Sequence, residues 1–204
     1  MNYLLDLSDL QNQYFAMRHG KSEANAAGLV ISDPAIGTSA YGLTPEGQDQ
    51  AATSAAAAVH LNTDTLIVSS DFLRARQTAE IMHRQLQLKH PVRLSVALRE
   101  RYFGDYDQKP DQHYQEIWEQ DRLDANWSGH NVESAYAVMD RSSGLVLALE
   151  REFQGRQIVL TAHGDVLQIL QAAFQKVSAS AHRSLPHLST AEIRELQLQA
   201  GKPM

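Results

Sequence analysis

Three short polar clusters hold the residues best suited to chemistry: Arg18-His19-Gly20-Lys21-Ser22-Glu23-Ala24-Asn25, Ser69-Ser70-Asp71-Phe72-Leu73-Arg74-Ala75 and Thr161-Ala162-His163-Gly164-Asp165. Together they supply two histidines, His19 and His163, and two arginines, Arg18 and Arg74. Such a set suits one task. Guanidinium forks grip the oxygens of a dianionic phosphoryl group, while an imidazole nitrogen attacks phosphorus in line with the departing oxygen. Cationic neighbours disfavour protonated imidazole and so keep it nucleophilic. Gly20 and Gly164 directly follow the two histidines and allow close backbone approach. A lone Arg-His-Gly would carry little information, whereas three such clusters in order carry much more.

The elements that position these clusters follow from apolar patterning. Residues 14–17, 65–69 and 157–162 are short apolar runs that read as buried strands, each leading into one cluster. Thr44-Pro45-Glu46 offers an N-cap and a proline at the first helical position for a helix over residues 47–58. Ser70 or Asp71 is placed to cap a helix reaching about residue 87. Residues 133–153 read as a long helix and residues 164–174 as another. Residues 92–97 alternate as a strand, and residues 192–198 suit an antiparallel edge strand. Residues 32–42 read as a loop, and the tail from residue 199 is expected to fray. Strands alternating with helices imply an α/β fold, a mostly parallel sheet with helices on both faces in one three-layer domain spanning residues 1–204. Ligands bind such sheets beyond the carboxyl ends of the strands. Helices that begin there add N–H donors and a favourable dipole.

Composition removes several alternatives. A chain of 204 residues with 43% hydrophobic and 21% charged residues fits one compact domain. The absence of cysteine excludes disulfides, thiolate nucleophiles and cysteine-ligated metals. A net charge of −6 argues against nucleic acid as the main partner. The first twelve residues contain Asp6 and Asp9 but no Lys or Arg, unlike a signal peptide, and no apolar run reaches bilayer length. A soluble, cytoplasmic chain acting on a small phosphorylated substrate is expected, without membrane contact. The oligomeric state has no sequence signal. Among the other histidines, His182 and His187 lack metal-ligand spacing and suit surface or loop positions. Arg101 suits a surface ion pair, and Trp118 and Trp127 could lid the pocket, although core packing is the commoner role.

These motifs resemble those of the histidine phosphatase superfamily, also called the phosphoglycerate mutase-like family, over most of the chain. Arg18-His19-Gly20 stands for its signature, and Leu43-Thr44-Pro45-Glu46-Gly47 for its helix entry. The run from Ser69 to Ala79 resembles its second arginine motif, and Ala162-His163-Gly164-Asp165 the motif of its second histidine. Glu133-Ser134 with Arg141 resembles its Gly-Glu-Ser helix start, with Val132 in place of the glycine. The resemblance implies a three-layer α/β/α sandwich in which His19 is transiently phosphorylated. Arg18, Arg74 and His163 would complete the phosphate pocket, with Asn25 as a further contact. The family's proton donor lies on an intervening loop. The segment Leu98-Arg99-Glu100-Arg101-Tyr102-Phe103-Gly104-Asp105 fits its glutamate version, making Glu100 the choice over Asp105. One carboxyl group can protonate the leaving alkoxide and then deprotonate water. No metal or cofactor is required where arginines and histidine stabilise the charge.

The resemblance implies a phosphohydrolase and leaves two alternatives. A phosphoglycerate mutase would return the phosphoryl group to another hydroxyl, and true mutases of the family carry extra basic residues after the glutamate loop. Here residues 109–131 offer only Lys109 and Arg122, set among Asp111, Glu116, Glu119, Asp121 and Asp124. Phosphatase activity is therefore expected to exceed mutase activity. A non-catalytic phosphate-binding regulator would be expected to have lost the first histidine or an arginine, and none is missing.

Overall fold

The computed structural model describes residues 1–200, so residues 201–204 of the expected tail lie outside the described residues. Strands β1 (Gln13–Arg18), β2 (Leu66–Ser69), β3 (Arg93–Leu94), β4 (Gln157–Ala162) and β5 (Ile193–Leu196) form one sheet in the order β3-β2-β4-β1-β5. All neighbours pair parallel except β5, which runs antiparallel to β1. The helices are α1 (Glu23–Ala27), α2 (Pro34–Gly37), α3 (Pro45–Ala57), α4 (Leu73–Gln85), α5 (Tyr114–Leu123), α6 (Ala135–Glu152) and α7 (Gly164–Phe174).

Side chains alternate across a strand with a period of two, and this builds the layers. Tyr14 and Ala16 of β1, Leu66 and Val68 of β2, and Ile158 and Leu160 of β4 enter one core with Val138, Val146 and Leu149 of α6 and Leu167 and Leu170 of α7. The intervening Phe15, Met17, Ile67 and Val159 enter a second core with Ala55 of α3 and Ala79 and Met82 of α4. The sheet is thus covered on both faces, as the alternating elements imply. A third, smaller cluster of Val30, Phe103, Ile117 and Val132 lies beneath α5.

Local signals decide most boundaries. The Thr44 side chain caps α3 by accepting from Gly47 N, with Pro45 in the first turn. Four expectations are corrected. The strand expected over residues 92–97 shrinks to Arg93–Leu94, both exposed at the sheet edge. Ser95 then caps a 3-10 turn, Val96–Leu98, that carries the chain back over the sheet. Neither Ser70 nor Asp71 is the N-cap of α4, a position held by Phe72 without a side-chain bond. Residues 32–42 are not all loop, because Asp33 caps the single-turn helix α2. The long helix starts at Ala135, with Ser134 as its cap, two residues later than expected.

Candidate active site

Strand register brings the three polar clusters together. Arg18 pairs with Ala162, and Ser69 with Thr161, at the carboxyl edge of the sheet. The ladder runs one residue further: His19 N donates to Ala162 O at 3.0 Å and Ser70 N to Thr161 O at 2.9 Å. Close packing is needed here. A Cβ on Gly20 would lie 2.2 Å from the backbone oxygen of Gly47. One on Gly164 would lie 2.9 Å from His187 Cε1 and 3.3 Å from Arg18 Nε.

A cavity of about 200 Å³ opens at this edge, with Arg18, His19, Asn25, Arg74 and Glu100 in its wall. His163 stands next to the wall, wholly buried, with its ring centroid 5.3 Å from that of His19 and its Nδ1 3.7 Å from Glu100 Oε2. Asn25 lies at the rim, exposed, and its Oδ1 accepts from Ser22 N and Oγ at 3.1 and 3.0 Å in the capping box of α1. Asp105, the competing carboxylate, is exposed and accepts from Asn131 Nδ2 at 2.8 Å, away from the cavity wall.

Hydrogen bonding fixes the His19 tautomer. Its Nδ1 lies 2.7 Å from Gly20 O, and a carbonyl only accepts, so Nδ1 carries the proton. The lone pair is therefore on Nε2, where Arg74 Nε donates at 3.2 Å. Burial, then Arg74 and Arg18, hold His19 well below the ordinary imidazole range. Burial, with Arg74 and His19, does the same to His163. Burial acts oppositely on Glu100, raising its carboxyl to about 7 against the pull of Arg74. Glu100 Oε2 lies 3.6 Å from Arg74 Nη2, while Oε1 accepts from Arg101 N at 2.9 Å.

Several donors here remain unused. Among the described residues five buried side-chain polar atoms lack a hydrogen-bond partner, and three of them, Arg18 Nε, Arg74 Nη1 and His163 Nδ1, belong to two residues of the cavity wall and the histidine behind it. Buried polar groups are almost always satisfied, so two unpartnered guanidinium N–H groups on residues of one cavity wall suit an anion. Helix α7 begins at Gly164 with no side chain capping its first turn, and Gly164 lines the cavity. Its amino-terminal dipole adds to the same field.

A buried network behind the wall was not foreseen from sequence. Arg101, expected at the surface, is fully buried and bridges Asp121 of α5 through Nη1 and Nη2 at 2.6 and 2.7 Å. Its Nη1 also reaches Asp165 of α7 at 3.2 Å and its Nε donates to Glu133 O at 2.6 Å. Asp165 accepts from Trp118 Nε1 at 2.9 Å and lies 3.5 Å from His182 Nε2. His182, also expected at the surface, is fully buried. Burial alone would raise Asp165, yet His182 and Arg101 hold it well below the usual carboxylate range. Arg141 braces the loop from the other side, pairing with Glu133 at 2.8 and 3.0 Å and donating to Ala97 O at 2.7 Å.

Two further neighbours escaped sequence reasoning. His187 is exposed and lies 2.8 Å from Arg18 Nη1; burial and then Arg18 lower it to about 4, so its neutral Nε2 accepts that bond. Ser70 Oγ stands 3.0 Å from His163 Nε2. His187 has no local motif to reveal it. Ser70 lies within a recognised cluster but reads there as a helix cap.

A doubly covered parallel sheet, with two histidines, two arginines and a raised carboxyl gathered at its carboxyl edge, defines a phosphatase of the histidine type. The chain belongs to the histidine phosphatase superfamily, branch 1, whose family model matches residues 14–204. Its relatives include a glucosyl-3-phosphoglycerate phosphatase of Mycobacterium tuberculosis, 30% identical over 192 residues, covering 88% of this chain and 82% of that protein. An adenosylcobalamin/alpha-ribazole phosphatase of Salmonella typhimurium is 26% identical over 173 residues, covering 81% and 80%. The structure of a mycobacterial glucosyl-3-phosphoglycerate phosphatase in complex with VO3 matches with a TM-score of 0.75 at 28% identity, covering 90% of each chain. Among the described residues no helix is long and apolar enough to cross a membrane, and no group of three His, Cys, Asp or Glu is placed to hold a metal ion.

Proposed function

We propose that the chain, as one domain over residues 1–204, hydrolyses small phosphate monoesters by transient transfer of the phosphoryl group to His19 Nε2. The pairing of a neutral His19, its Nε2 lone pair turned to the Arg74 guanidinium, with unpartnered guanidinium N–H groups of Arg18 and Arg74 in the same cavity wall supports this reading above all. Arg74 Nε releases Nε2 when its guanidinium turns to phosphoryl oxygens. Nε2 then forms a bond to phosphorus as the ester P–O bond breaks, and Glu100 passes its proton to the departing oxygen. The positive charge on the phosphorylated ring is eased by the Nδ1–H bond to Gly20 O. In the second half, Glu100 takes a proton from water as that water attacks phosphorus. The P–N bond breaks, inorganic phosphate leaves and the acid form of Glu100 is restored. A carboxyl raised to about 7 is matched to both duties near neutral pH. Asn25 Nδ2, at the rim, adds a donor to the same oxygens.

Hydrolysis is favoured over mutase activity by what the segment after the glutamate loop places in the cavity. It contributes Asp111, Tyr114 and Trp118, while Lys109 and Arg122 do not line the wall. A purely binding role is disfavoured because nucleophile and proton donor are both present. The test is turnover of p-nitrophenyl phosphate in excess chelator by wild type and His19→Ala. Chelator-resistant hydrolysis lost in the variant is expected; turnover that survives the substitution would defeat the proposal.

A further inference from the structure

The wall of this proposed phosphatase site also constrains the alcohol portion of the substrate. Among the described residues lining the cavity, Arg18 and Arg74 are the sole Lys or Arg side chains. Two guanidinium charges balance one phosphoryl dianion, and no cation of the wall itself is left to hold a second anionic group. Two other cations stand nearby but outside the wall. Arg183 covers a face of Trp118 at 3.6 Å and bonds to Gln168 Oε1, while Lys109 Nζ lies over the Tyr106 ring at 5.6 Å. Neither lines the cavity.

The wall instead presents carboxyl groups: Glu100, Asp165, which is paired with Arg101, and Asp111. Asp111 is exposed and lines the cavity, on a segment pinned to the loop after α1. Leu29 bridges Pro110, Val30 N donates to Lys109 O at 2.9 Å, Gln108 N to Val30 O at 2.7 Å and Asp111 N to Gly28 O at 2.9 Å. Tyr114 joins it in the wall. Burial, then Glu100, raises its phenol, which therefore stays neutral and able to donate.

We propose that the enzyme selects monoesters whose leaving group is neutral and hydroxylated, and that Asp111 sets this choice by repelling a carboxylate or second phosphate near the scissile bond. A like charge at the cavity rim is uncompensated once Arg18 and Arg74 hold the phosphoryl group, so the discrimination is on the order of tenfold or more. This inference rests on the phosphatase reading.

The test compares glycerol 3-phosphate with 3-phosphoglycerate, which differ by a hydroxymethyl group in place of a carboxylate, as competitors of p-nitrophenyl phosphate turnover. Competition ranks the two whether or not either is itself hydrolysed. Glycerol 3-phosphate is expected to compete at least about tenfold better. Asp111→Asn should shrink that ratio and Asp111→Lys should invert it. Equal or better competition by 3-phosphoglycerate, or a ratio unmoved by both variants, overturns the inference and leaves the phosphatase reading standing. No hydrolysis of p-nitrophenyl phosphate by wild type overturns the phosphatase reading and, with it, the inference.

Discussion

Replacing Glu100 by glutamine should make the protein more stable and much less active, and the two effects should separate with pH. Glu100 is 9% exposed, and burial raises its carboxyl to about 7. In the unfolded chain the same group titrates near its ordinary value of 4.5. Between those values the native state binds a proton that the unfolded state has lost, so wild-type stability falls as pH rises through this window. Above about 7 the native carboxylate is ionised where charge is disfavoured. Below about pH 4 both states are protonated and the penalty is gone. The gap corresponds to about 3 kcal/mol. Glutamine has nearly the same shape, stays neutral and keeps an oxygen to accept from Arg101 N. Urea unfolding should therefore show Glu100→Gln more stable by about 3 kcal/mol near pH 8 and indistinguishable near pH 4. Activity on an alkyl phosphate should drop by about 10²- to 10⁴-fold for loss of the acid. Turnover of p-nitrophenyl phosphate should suffer least, since nitrophenolate leaves without a proton. Wild-type kcat/KM on an alkyl ester should fall above about 7, as Glu100 loses its proton. His19 is already neutral well below that range, so the acidic limb should report the ester's second ionisation near ~6. A glutamine variant no more stable than wild type near pH 8 would refute the argument from burial, and an unchanged alkyl-to-aryl ratio would refute the acid role.

Gly20→Ala should lower the melting temperature, because its Cβ would lie 2.2 Å from a backbone oxygen that has no rotamer in which to escape; the cost is at the upper end of about 1–3 kcal/mol, and an unchanged melt would contradict it. Asp121→Ala should cost about 3–5 kcal/mol in urea unfolding, since it removes the bidentate partner of a fully buried guanidinium and leaves the 3.2 Å contact with Asp165 as its one carboxylate contact. A loss below about 1 kcal/mol would show that Asp165 and Glu133 O suffice to hold Arg101.

The parts of the fold legible in sequence were those governed by local rules. Apolar runs located β1, β2 and β4, and the Thr44-Pro45 pair marked the start of α3. Edge and connecting segments were less legible, because their pairing depends on distant neighbours. The run over residues 92–97 alternates like a strand, yet β3 finds only two partners in β2 before Ser95 turns the chain toward the site. The site divided in the same way. Arg18 ends β1, His19 and His163 directly follow β1 and β4, and Arg74 lies in the first turn of α4 after β2, so all four fall at the carboxyl edge where the fold brings them together. Arg101 could not be recognised as buried, because its partners Asp121 and Asp165 lie 20 and 64 residues away. The same holds for His187 on Arg18, separated by 169 residues. A charged side chain reads as exposed until the partner that neutralises it is brought alongside.

The most direct test is to mix wild type with a slowly hydrolysed phosphate ester, quench the reaction under conditions that preserve phosphohistidine, and map the modification by mass spectrometry. The account predicts one phosphoryl group, on Nε2 of His19, where the lone pair meets the Arg74 guanidinium, and none in His19→Ala. Turnover without any adduct on His19, or an adduct on His163 instead, would contradict it.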